Sequence, residues 1–436
     1  MLLYNLRLAW SSLRRTPWLS ALTLITLAIG VGVATTFVSM VHLLGRDPLP
    51  ELSDDLFYVR LDNWNPEEPR SRNFPERPPQ QVTYRDSLAL LEAPDPVLKA
   101  SAFRTQLIVH PDDPAQRPFP RMTRAATRDF FALFDVPFAH GGTWDQRADE
   151  TGAKVVVLDH ETNDRLFGGD NSVGRELRLG EHVYTVAGVL APWRPVVKVF
   201  DVTQGPNNEP ESLFIPFRVA ESIELGVYGN SSGWTSWDTY EERLFASESV
   251  FTQHWVRLET EEQKASYQQW LNEYTEGQRA GDRFLRPTNN WIQPMMAWLE
   301  EMEVVPPSSQ RMMIIALLFL AVCAVNLIGL LLGKFLARAP EIGVRRALGA
   351  SRGAIFVQHL VECQVLALLG SLIGIGLASL GLAVLTSDNA GEQLLYPDAS
   401  TMLIGVLLAM AAGLVAGIYP AWRIGATAPA IHLKLQ

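Results

Sequence analysis

"MMIIALLFLAVCAVNLIGLLLG", from Met312 to Gly333, contains 22 residues and no charged side chain. A helix needs about 20 consecutive apolar residues to cross the hydrocarbon core of a bilayer, and soluble cores rarely contain runs of this length. Leu19 to Leu44 and Thr401 to Trp422 share the pattern, and a further apolar stretch, Ile355 to Leu385, is uncharged after Glu362. The sequence therefore predicts a helical membrane protein with one span before a large domain and three spans after it.

The four runs divide the sequence into predicted segments. These are a cytoplasmic or interfacial amphipathic helix (residues 1–18), span 1 (19–45), a large external domain (46–310), span 2 (311–336), a cytoplasmic loop (337–354), span 3 (355–385), a short external loop (386–400), span 4 (401–422) and a cytoplasmic tail (423–436). In the first segment apolar residues recur at helical spacing, namely Leu3, Leu6, Trp10 and Leu13. That pattern fits either a helix lying in the membrane interface or a helical extension of span 1.

The distribution of charge predicts the orientation of these spans. Between the apolar runs of spans 2 and 3, which end at Gly333 and begin at Ile355, lie one acid, Glu341, and five bases: Lys334, Arg338, Arg345, Arg346 and Arg352. Residues 46–303 contain 42 acidic and 26 basic side chains, a net charge of −16, whereas the whole chain carries −10. Both termini and the basic loop are therefore predicted to face the cytoplasm, and the acidic domain the outside. Nothing in this charge balance indicates a nucleic-acid partner.

Residues 46–310 mix strand-like and helical patterns, which indicates an α+β domain that is long enough for two lobes. The predicted strands are Leu56 to Leu61, Leu107 to His110, Lys154 to Leu158 and His182 to Val189. The predicted helices are Thr83 to Leu91, Arg128 to Leu133, His160 to Phe167 and Glu261 to Gln278. Both cysteines of the chain, Cys323 and Cys363, fall in spans, so this domain is expected to fold without disulfides.

Small residues recur at every fourth position in two of the spans. They are Gly370, Gly374 and Ala378 in span 3, and Ala409, Gly413 and Gly417 in span 4. Such stripes let helix backbones approach closely in lipid. We therefore predict helix packing along both stripes, although the pattern does not name the partner helices.

No catalytic, cofactor-binding or metal site is predicted. The nearest match to a phosphate-binding loop, ending at Lys334, has Ile328 in place of its first glycine and Phe335 in place of its hydroxyl residue. Gly229 to Gly233 reads G-x-S-x-G around Ser231, but the strand and helix that a nucleophile elbow requires are not predicted around it. We interpret this stretch as a loop and the chain as a protein without enzymatic activity of its own.

Two ionisable residues, His359 and Glu362, fall three residues apart in span 3. They could supply half of a metal site, but the polar face of a helix entering the membrane is the favoured interpretation. Because an ionisable group within a span is a candidate functional site by default, Glu362 is either functional or an interfacial cap near Arg338 or Arg352. Elsewhere, Asp159 to Asp164 imitates a calcium loop without its turn glycine and is interpreted as a helix start.

Three stretches carry a family resemblance. "PEIGVRRALGASRGAIFVQHLVE" (Pro340 to Glu362) closely resembles the cytoplasmic loop and third-span start of MacB/FtsX-like ABC transporter permeases. Ala125 to Leu190, with its "LFGG" turn and closing "YTVAGVL", is similar to the family's periplasmic core, and "YPAWRIGATAP" (Tyr419 to Pro429) to its ending. The three stretches follow the family's order on the matching topology. The chain departs from the family after Trp422, where Ile424 to Ala426 replaces an arginine-containing run.

The resemblance implies a permease subunit of a type VII ABC transporter in a bacterial inner membrane, with a two-lobed periplasmic domain. It also implies mechanotransmission, in which separate cytoplasmic ATPase subunits bind ATP and Mg²⁺ and drive a movement of the periplasmic domain. This chain would then hold no cofactor. Further implied partners are a second copy or a non-identical related permease, a periplasmic adaptor with an outer-membrane channel, and membrane lipid.

By the same resemblance, the ATPase contact comprises Glu341, Ile342, Gly343, Arg345, Arg346, Ala347, Leu348, Gly349 and Ala350. The alternative is that the arginines only enforce topology and bind anionic lipid, but that role needs no fixed Glu-Ile-Gly order. A second class of function is a membrane sensor or scaffold that binds a ligand outside and signals through the loop. A third is a membrane-anchored hydrolase at Ser231. The sequence does not select a substrate among macrolide-like molecules, peptides, lipoproteins and lipids.

Overall fold

The computed structural model describes residues 15–113, 115–205, 208–386 and 395–426. These residues form two compact units. One, here called the membrane unit, combines the described residues up to Arg46 with those from Val305 onward, and the other, the outer unit, is Asp47–Val304. The predicted amphipathic segment (residues 1–18) and the short loop (386–400) lie largely outside the described residues, as does the tail from residue 427 onward.

Four helices of the membrane unit are long and apolar enough to cross a membrane. We call them span helix 1 (Pro17–Gly45), span helix 2 (Pro307–Leu336), span helix 3 (Arg352–Thr386) and span helix 4 (Ala399–Ala426). A fifth, short helix, the loop helix, is Ala339–Ala347. The predicted arrangement of one span before the central domain and three after it is confirmed.

The span helices pack around a shared apolar core. Span helix 1 contacts each of the other three, and span helix 4 contacts span helices 2 and 3. Leu27 and Val31 of span helix 1 lie in one cluster with Leu327 and Leu331 of span helix 2. Residues on the opposite faces, such as Leu372, are exposed, as expected of side chains that face lipid.

The outer unit contains one continuous eleven-stranded sheet among its described residues. Its strands are β1 (Leu56–Arg60), β2 (Val82–Thr83), β3 (Leu98–His110), β4 (Phe119–Ala126), β5 (Phe138–Gly141), β6 (Val155–Leu158), β7 (Glu176–Leu179), β8 (His182–Leu190), β9 (Leu213–Pro216), β10 (Val250–Arg257) and β11 (Trp291–Pro294). The strand order is β11-β1-β10-β3-β4-β9-β6-β8-β5, with β2 beside β10 and β7 beside β3 and β8. Most pairs are antiparallel, but β4–β9 and β6–β8 are parallel.

Helices of the outer unit cover this sheet and its edges. They are Tyr84–Leu91, Phe130–Leu133, Gln146–Thr151, His160–Phe167, Tyr240–Phe245, Glu261–Gln278 and Met295–Glu301, with short 3-10 turns at Val199–Gln204, Phe217–Glu221 and Arg279–Gly281. The predicted helices His160 to Phe167 and Glu261 to Gln278 are confirmed to the residue. Each starts at a side chain that accepts a hydrogen bond from the first turn, Asp159 in the first and Thr260 in the second.

Side chains of the sheet contribute to two separate hydrophobic clusters. One surrounds Phe103, Leu158 and Phe251, and the other surrounds Val59, Val256 and Leu271. Strand β10 contributes to both, because almost every side chain along it is buried. The strand is therefore covered on both faces, which explains why its sequence shows no clear alternation of polar and apolar residues.

Candidate functional site

The loop helix is joined to span helix 3 by a tight turn whose shape depends on glycine. Gly349 adopts a φ of +101°, and its N–H donates to the carbonyl of Arg346 at 3.1 Å. The N–H of Ala350 donates to the carbonyl of Arg345 at 3.0 Å, which closes the helix end. Ser351 Oγ then accepts a hydrogen bond from the N–H of Ala354 at 3.1 Å and starts the next helix. The positive φ explains why a glycine occupies this position.

One side of the loop helix faces its own protein. Ala339 and Ile342 are buried and belong to the apolar cluster that contains Phe335, Ile355 and Ile424, while Ala350 packs against that cluster. Gly343 is also buried, although a Cβ there would meet no atom within 4 Å. Of the predicted contact residues, Ile342 therefore holds the helix against the spans, and neither Ile342 nor Gly343 is exposed on its surface.

The other side of the loop helix is exposed and apolar. Leu348 is 83% exposed and Val344 51% exposed, and Ala347 and Gly349 are exposed beside them. The individual contact residues implied by the resemblance omit Val344, although it lies within the same stretch and is exposed. The exposed residues and the half-buried Arg345 and Arg346 form what we call the loop tip, residues 344–349.

Glu341 lies at the centre of a cluster of arginines. Its carboxylate is 2.9 Å from Arg345 Nη2, 3.3 Å from Arg15 Nη1 and 3.6 Å from Arg338 Nη2. Arg345 also donates to Gln358 Oε1 at 3.4 Å. These contacts join the loop helix to the start of span helix 1 and to span helix 3. Glu341 and Arg345 thus pair within the chain, and their charges are not simply displayed to a partner.

Glu362 forms a buried ion pair that only half matches the prediction. Its Oε1 is 2.7 Å from Lys334 Nζ, and its Oε2 is 3.6 Å from Arg338 Nη1. The Lys334 side chain is 0% exposed and that of Glu362 is 2% exposed, so the carboxylate is no interfacial cap. Arg338 is one of its two predicted neighbours, whereas Lys334 had been read only as a topological charge. No sequence pattern links residues 28 positions apart on different helices.

His359 packs beside this pair. Its Nδ1 is 2.8 Å from the carbonyl of Ile355, and its ring meets Phe335 edge-on with centroids 4.4 Å apart. Among the described residues, no group of three or more His, Cys, Asp or Glu side chains could hold a metal ion. The favoured interpretation of a polar helix face needs correction, because both His359 and Glu362 point into the protein and are buried.

The small-residue stripes lie at close helix contacts. A Cβ on Gly374 would come within 3.1 Å of the Ala28 carbonyl oxygen, and one on Gly370 within 3.0 Å of Leu27, so this stripe faces span helix 1. On span helix 4, a Cβ on Gly413 would lie 2.8 Å from Ala367, and one on Gly417 2.7 Å from Cys363 Sγ. Ala378 and Ala409 are completely buried. The structure thus supplies the partner helices that the sequence could not name.

The motifs of the outer unit have structural roles. Ser231 lies exposed in a loop, and its neighbour Ser232 forms an isolated bridge to Val250, so no strand-to-helix elbow is present there. Asp159 accepts a hydrogen bond from the Thr162 N–H at 2.7 Å, which confirms the helix-start interpretation of that segment.

Sequence reasoning missed a buried charge cluster in the outer unit. Glu211 is 2.6 Å from Lys198 Nζ and 2.9 Å from Arg124 Nη2, and the same Arg124 nitrogen is 2.7 Å from Asp201. All four side chains are 0% exposed. Burial alone would raise the pKa of Glu211, but the charges of Arg124 and Lys198 outweigh it and hold the pKa well below its ordinary value. The cluster fastens β4 to the segment before β9.

Comparison with known sequences identifies two regions. The profile of the MacB-like periplasmic core domain matches residues 20–274, and that of the FtsX-like permease C-terminal region matches residues 313–429. The chain is similar to the pyoverdine export ATP-binding/permease protein PvdT of Pseudomonas aeruginosa, with 23% identity over 100% of this chain and 59% of the relative. It is also similar to the macrolide export ATP-binding/permease protein MacB of Syntrophobacter fumaroxidans, with 25% identity over 99% of this chain and 64% of the relative.

Solved structures give weaker similarities. The periplasmic region of MacB from Actinobacillus actinomycetemcomitans aligns with a TM-score of 0.37 and 12% identity, covering 58% of this chain and 95% of that one. The chain spans less than two thirds of the length of the two curated relatives named above. The first profile alone covers more than half of the chain, and the second contains the loop helix and its Glu-Ile-Gly start. The chain therefore belongs to the MacB/FtsX-like ABC permeases, as a four-span membrane protein with a MacB-like periplasmic core domain.

Proposed function

We propose that this chain is the permease subunit of a type VII ABC transporter, in which a cytoplasmic ATPase drives conformational change in the periplasmic domain. ATP and Mg²⁺ bind to the ATPase, and the chain itself transmits movement without a catalytic site. Both termini and the loop helix face the cytoplasm of a bacterium, and the outer unit lies in the periplasm. The work done there is export or extraction of a substrate.

The loop tip is the observation that carries this proposal. Leu348, at 83% exposure, protrudes from a turn between two spans, outside the long apolar stretches that face lipid. Exposed apolar side chains with arginines beside them suit a protein interface better than solvent alone. Because Ile342 anchors the same helix to the spans, a push on Leu348 is carried into the membrane unit.

The comparisons support an ATPase as the occupant of that surface. The two relatives are named as export proteins that combine ATP binding with a permease. The profile around the loop helix describes the permease part of such proteins. The remaining partners in the proposal are a second permease copy or a related permease, a periplasmic adaptor with an outer-membrane channel, and surrounding lipid.

Affinity purification from native membranes tests the proposal. The wild-type chain should retain an ABC-type ATPase that mass spectrometry identifies, and Leu348→Asp should lose it because a carboxylate replaces the central apolar contact. Tyr396→Asp is the matched control, since Tyr396 is 59% exposed, precedes span helix 4 and lies outside the loop helix and its turn. This control should keep the ATPase.

Two results would count against the proposal. If no ABC-type ATPase accompanies the wild-type chain under gentle extraction, the sensor or scaffold alternative gains support. If Leu348→Asp retains as much ATPase as the wild type, the ATPase contact is elsewhere on the chain.

A further inference from the structure

Burying the charged pair of Lys334 and Glu362 inside the membrane unit is energetically unfavourable. Transferring two charges out of water costs several kcal/mol each, and apolar residues of similar volume are often as stable or more stable. The pair is therefore weak evidence for a role in stability. Its position relative to the loop helix points to a different reason for its presence.

The pair connects the elements that meet at the loop. Lys334 lies in the last turn of span helix 2, and Glu362 lies in span helix 3. Arg338 immediately precedes the loop helix and lies 3.6 Å from Glu362 through one nitrogen and 3.6 Å from Glu341 through the other. A single arginine thus joins the buried carboxylate of a span to the first turn of the loop helix.

The series of polar contacts continues along the loop helix. From Glu341 it passes to Arg345 at 2.9 Å, one turn further along, and from Arg345 to Gln358 of span helix 3 at 3.4 Å. The loop helix is therefore held to span helix 3 by polar contacts at both ends, in addition to its apolar face. Polar contacts with defined partners fix the orientation of a helix, whereas apolar contacts alone permit it to roll.

We propose that Lys334 and Glu362 are positioning residues that set the orientation of the loop helix, through Arg338, so that movement of the loop tip is transmitted to span helices 2 and 3. This inference rests on the proposed function for its consequence, but the orientation itself is a property of this chain alone. Without the pair, the loop helix should adopt several orientations on the same apolar surface.

Spin labels test the orientation in the purified full chain, in lipid nanodiscs and without nucleotide. Labels at Leu348→Cys and Leu372→Cys report the distance from the loop tip to span helix 3, in a background in which Cys323 and Cys363 are replaced by serine and alanine. The unmodified pair should give one narrow distance distribution. Lys334→Met, Glu362→Gln and the double variant Lys334→Met/Glu362→Met should lose the single narrow peak, whereas Lys334→Arg should keep it.

The double variant separates positioning from stability. It removes both buried charges together, so the membrane unit should be extracted in the wild-type amount and have a melting temperature equal to or above that of the wild type. Gln364→Leu is the control, because it removes a neighbouring polar contact, to the Met410 carbonyl, without touching the charges. A narrow distribution in the stable double variant would overturn the inference.

A second readout uses the ATPase that co-purifies with the chain. This readout moves the labels to Leu318→Cys in span helix 2 and Leu372→Cys in span helix 3, which are both exposed and lie outside the loop tip, so the ATPase contact stays intact. The double variant should retain the ATPase, but the ATP- and vanadate-dependent shift in the distance between these two labels should be lost. If no ATPase co-purifies, the proposed function fails while the nucleotide-free distances still decide the positioning role. If the ATPase is present and the shift is unchanged in the double variant, the positioning role is wrong.

Discussion

At the scale of single residues, the outer unit contains several buried ionisable groups, some of which are paired with an opposite charge. Arg283 lies 2.8 Å from Asp86 and 2.5 Å from Glu248, and both carboxylates are almost fully buried. Burial would raise the pKa of Asp86, but the Arg283 charge and its hydrogen bonds lower it below the ordinary value. Asp86 therefore keeps its charge to a lower pH than an ordinary aspartate. In a buried group without a counter-charge, burial instead disfavours the charged form.

His254 is such a group, and we expect it to make the outer unit sensitive to mild acid. Its ring is completely buried between β10 and β3, where Nδ1 lies 2.8 Å from Ser101 Oγ and Nε2 has no hydrogen-bond partner in the described structure. Burial, assisted by the positive charge of Lys99, lowers the pKa of His254 to about 3. An unfolded histidine has a pKa of about 6.5, so the unfolded chain binds a proton that the folded chain does not.

We predict that the free energy of unfolding falls as the pH is lowered from about 6.5, by up to about 1.4 kcal/mol per pH unit from this group. The loss should be clearest between about pH 6 and pH 5, because carboxylates such as Asp86 begin to contribute only near their ordinary pKa of about 4. Denaturant unfolding of the full chain in detergent, followed by tryptophan fluorescence, measures it.

Two variants identify the group that causes the slope of unfolding free energy against pH. His254→Gln should flatten it, while His160→Gln should leave it unchanged because that ring is exposed at the surface. An equal slope in wild type and His254→Gln would show that another group is responsible.

At the scale of elements, the position of a glycine along a span helix decides whether it lies at a contact with another helix. Gly374 and Gly376 are two positions apart on span helix 3, and both are glycines in an apolar run. A Cβ on Gly374 would lie 3.1 Å from the Ala28 carbonyl and 3.2 Å from the Gly32 nitrogen, whereas one on Gly376 would meet no atom within 4 Å. Of these two glycines, only Gly374 is therefore needed for close approach to span helix 1.

We predict that Gly374→Leu lowers the melting temperature of the detergent-solubilised chain and Gly376→Leu does not. Overpacking at a backbone contact costs about 1–3 kcal/mol, since span helix 1 cannot relax without moving its own carbonyl groups. Thermal unfolding of the two variants side by side measures the difference. Equal melting temperatures would mean that the two helices separate at this point without cost.

At the scale of the whole molecule, the chain forms two units that are suited to different environments. The membrane unit is assembled from segments at both ends of the described sequence, and the outer unit, Asp47–Val304, lies between them. The strongly acidic outer region and the basic loop predict opposite sides of the membrane. This orientation is the part of the proposed function that can be tested without a partner.

We predict that a membrane-impermeant maleimide labels Ile108→Cys, but not Leu348→Cys, in intact spheroplasts. Ile108 is 50% exposed in the outer unit and Leu348 is 83% exposed at the loop tip, so access depends on the side of the membrane. The wild-type chain is the background control, because Cys323 and Cys363 are both buried. Both engineered residues should be labelled once the membrane is permeabilised, and labelling of Leu348→Cys in intact spheroplasts would reverse the orientation.

The sequence by itself determined the number, order and approximate bounds of the spans, because the length of an uncharged run is a sufficient criterion for crossing a bilayer. It also located several strands and helices of the outer unit, such as β8 and Glu261–Gln278, since their periodicity and end residues are local properties. The basic loop between the second and third spans was visible from its local sequence as well.

Only the tertiary structure decided which charges from distant parts of the chain form buried pairs. Lys334 and Glu362 lie on different helices, and Arg124, Asp201 and Glu211 come from separate parts of the outer unit. The parallel pairing of β4 with β9 is likewise non-local. Sequence periodicity reports only which face of an element is buried, and says nothing of what that face touches. The partner of a buried charge depends on how complete elements pack, so the pair that we propose positions the loop helix could not be predicted before the fold was known.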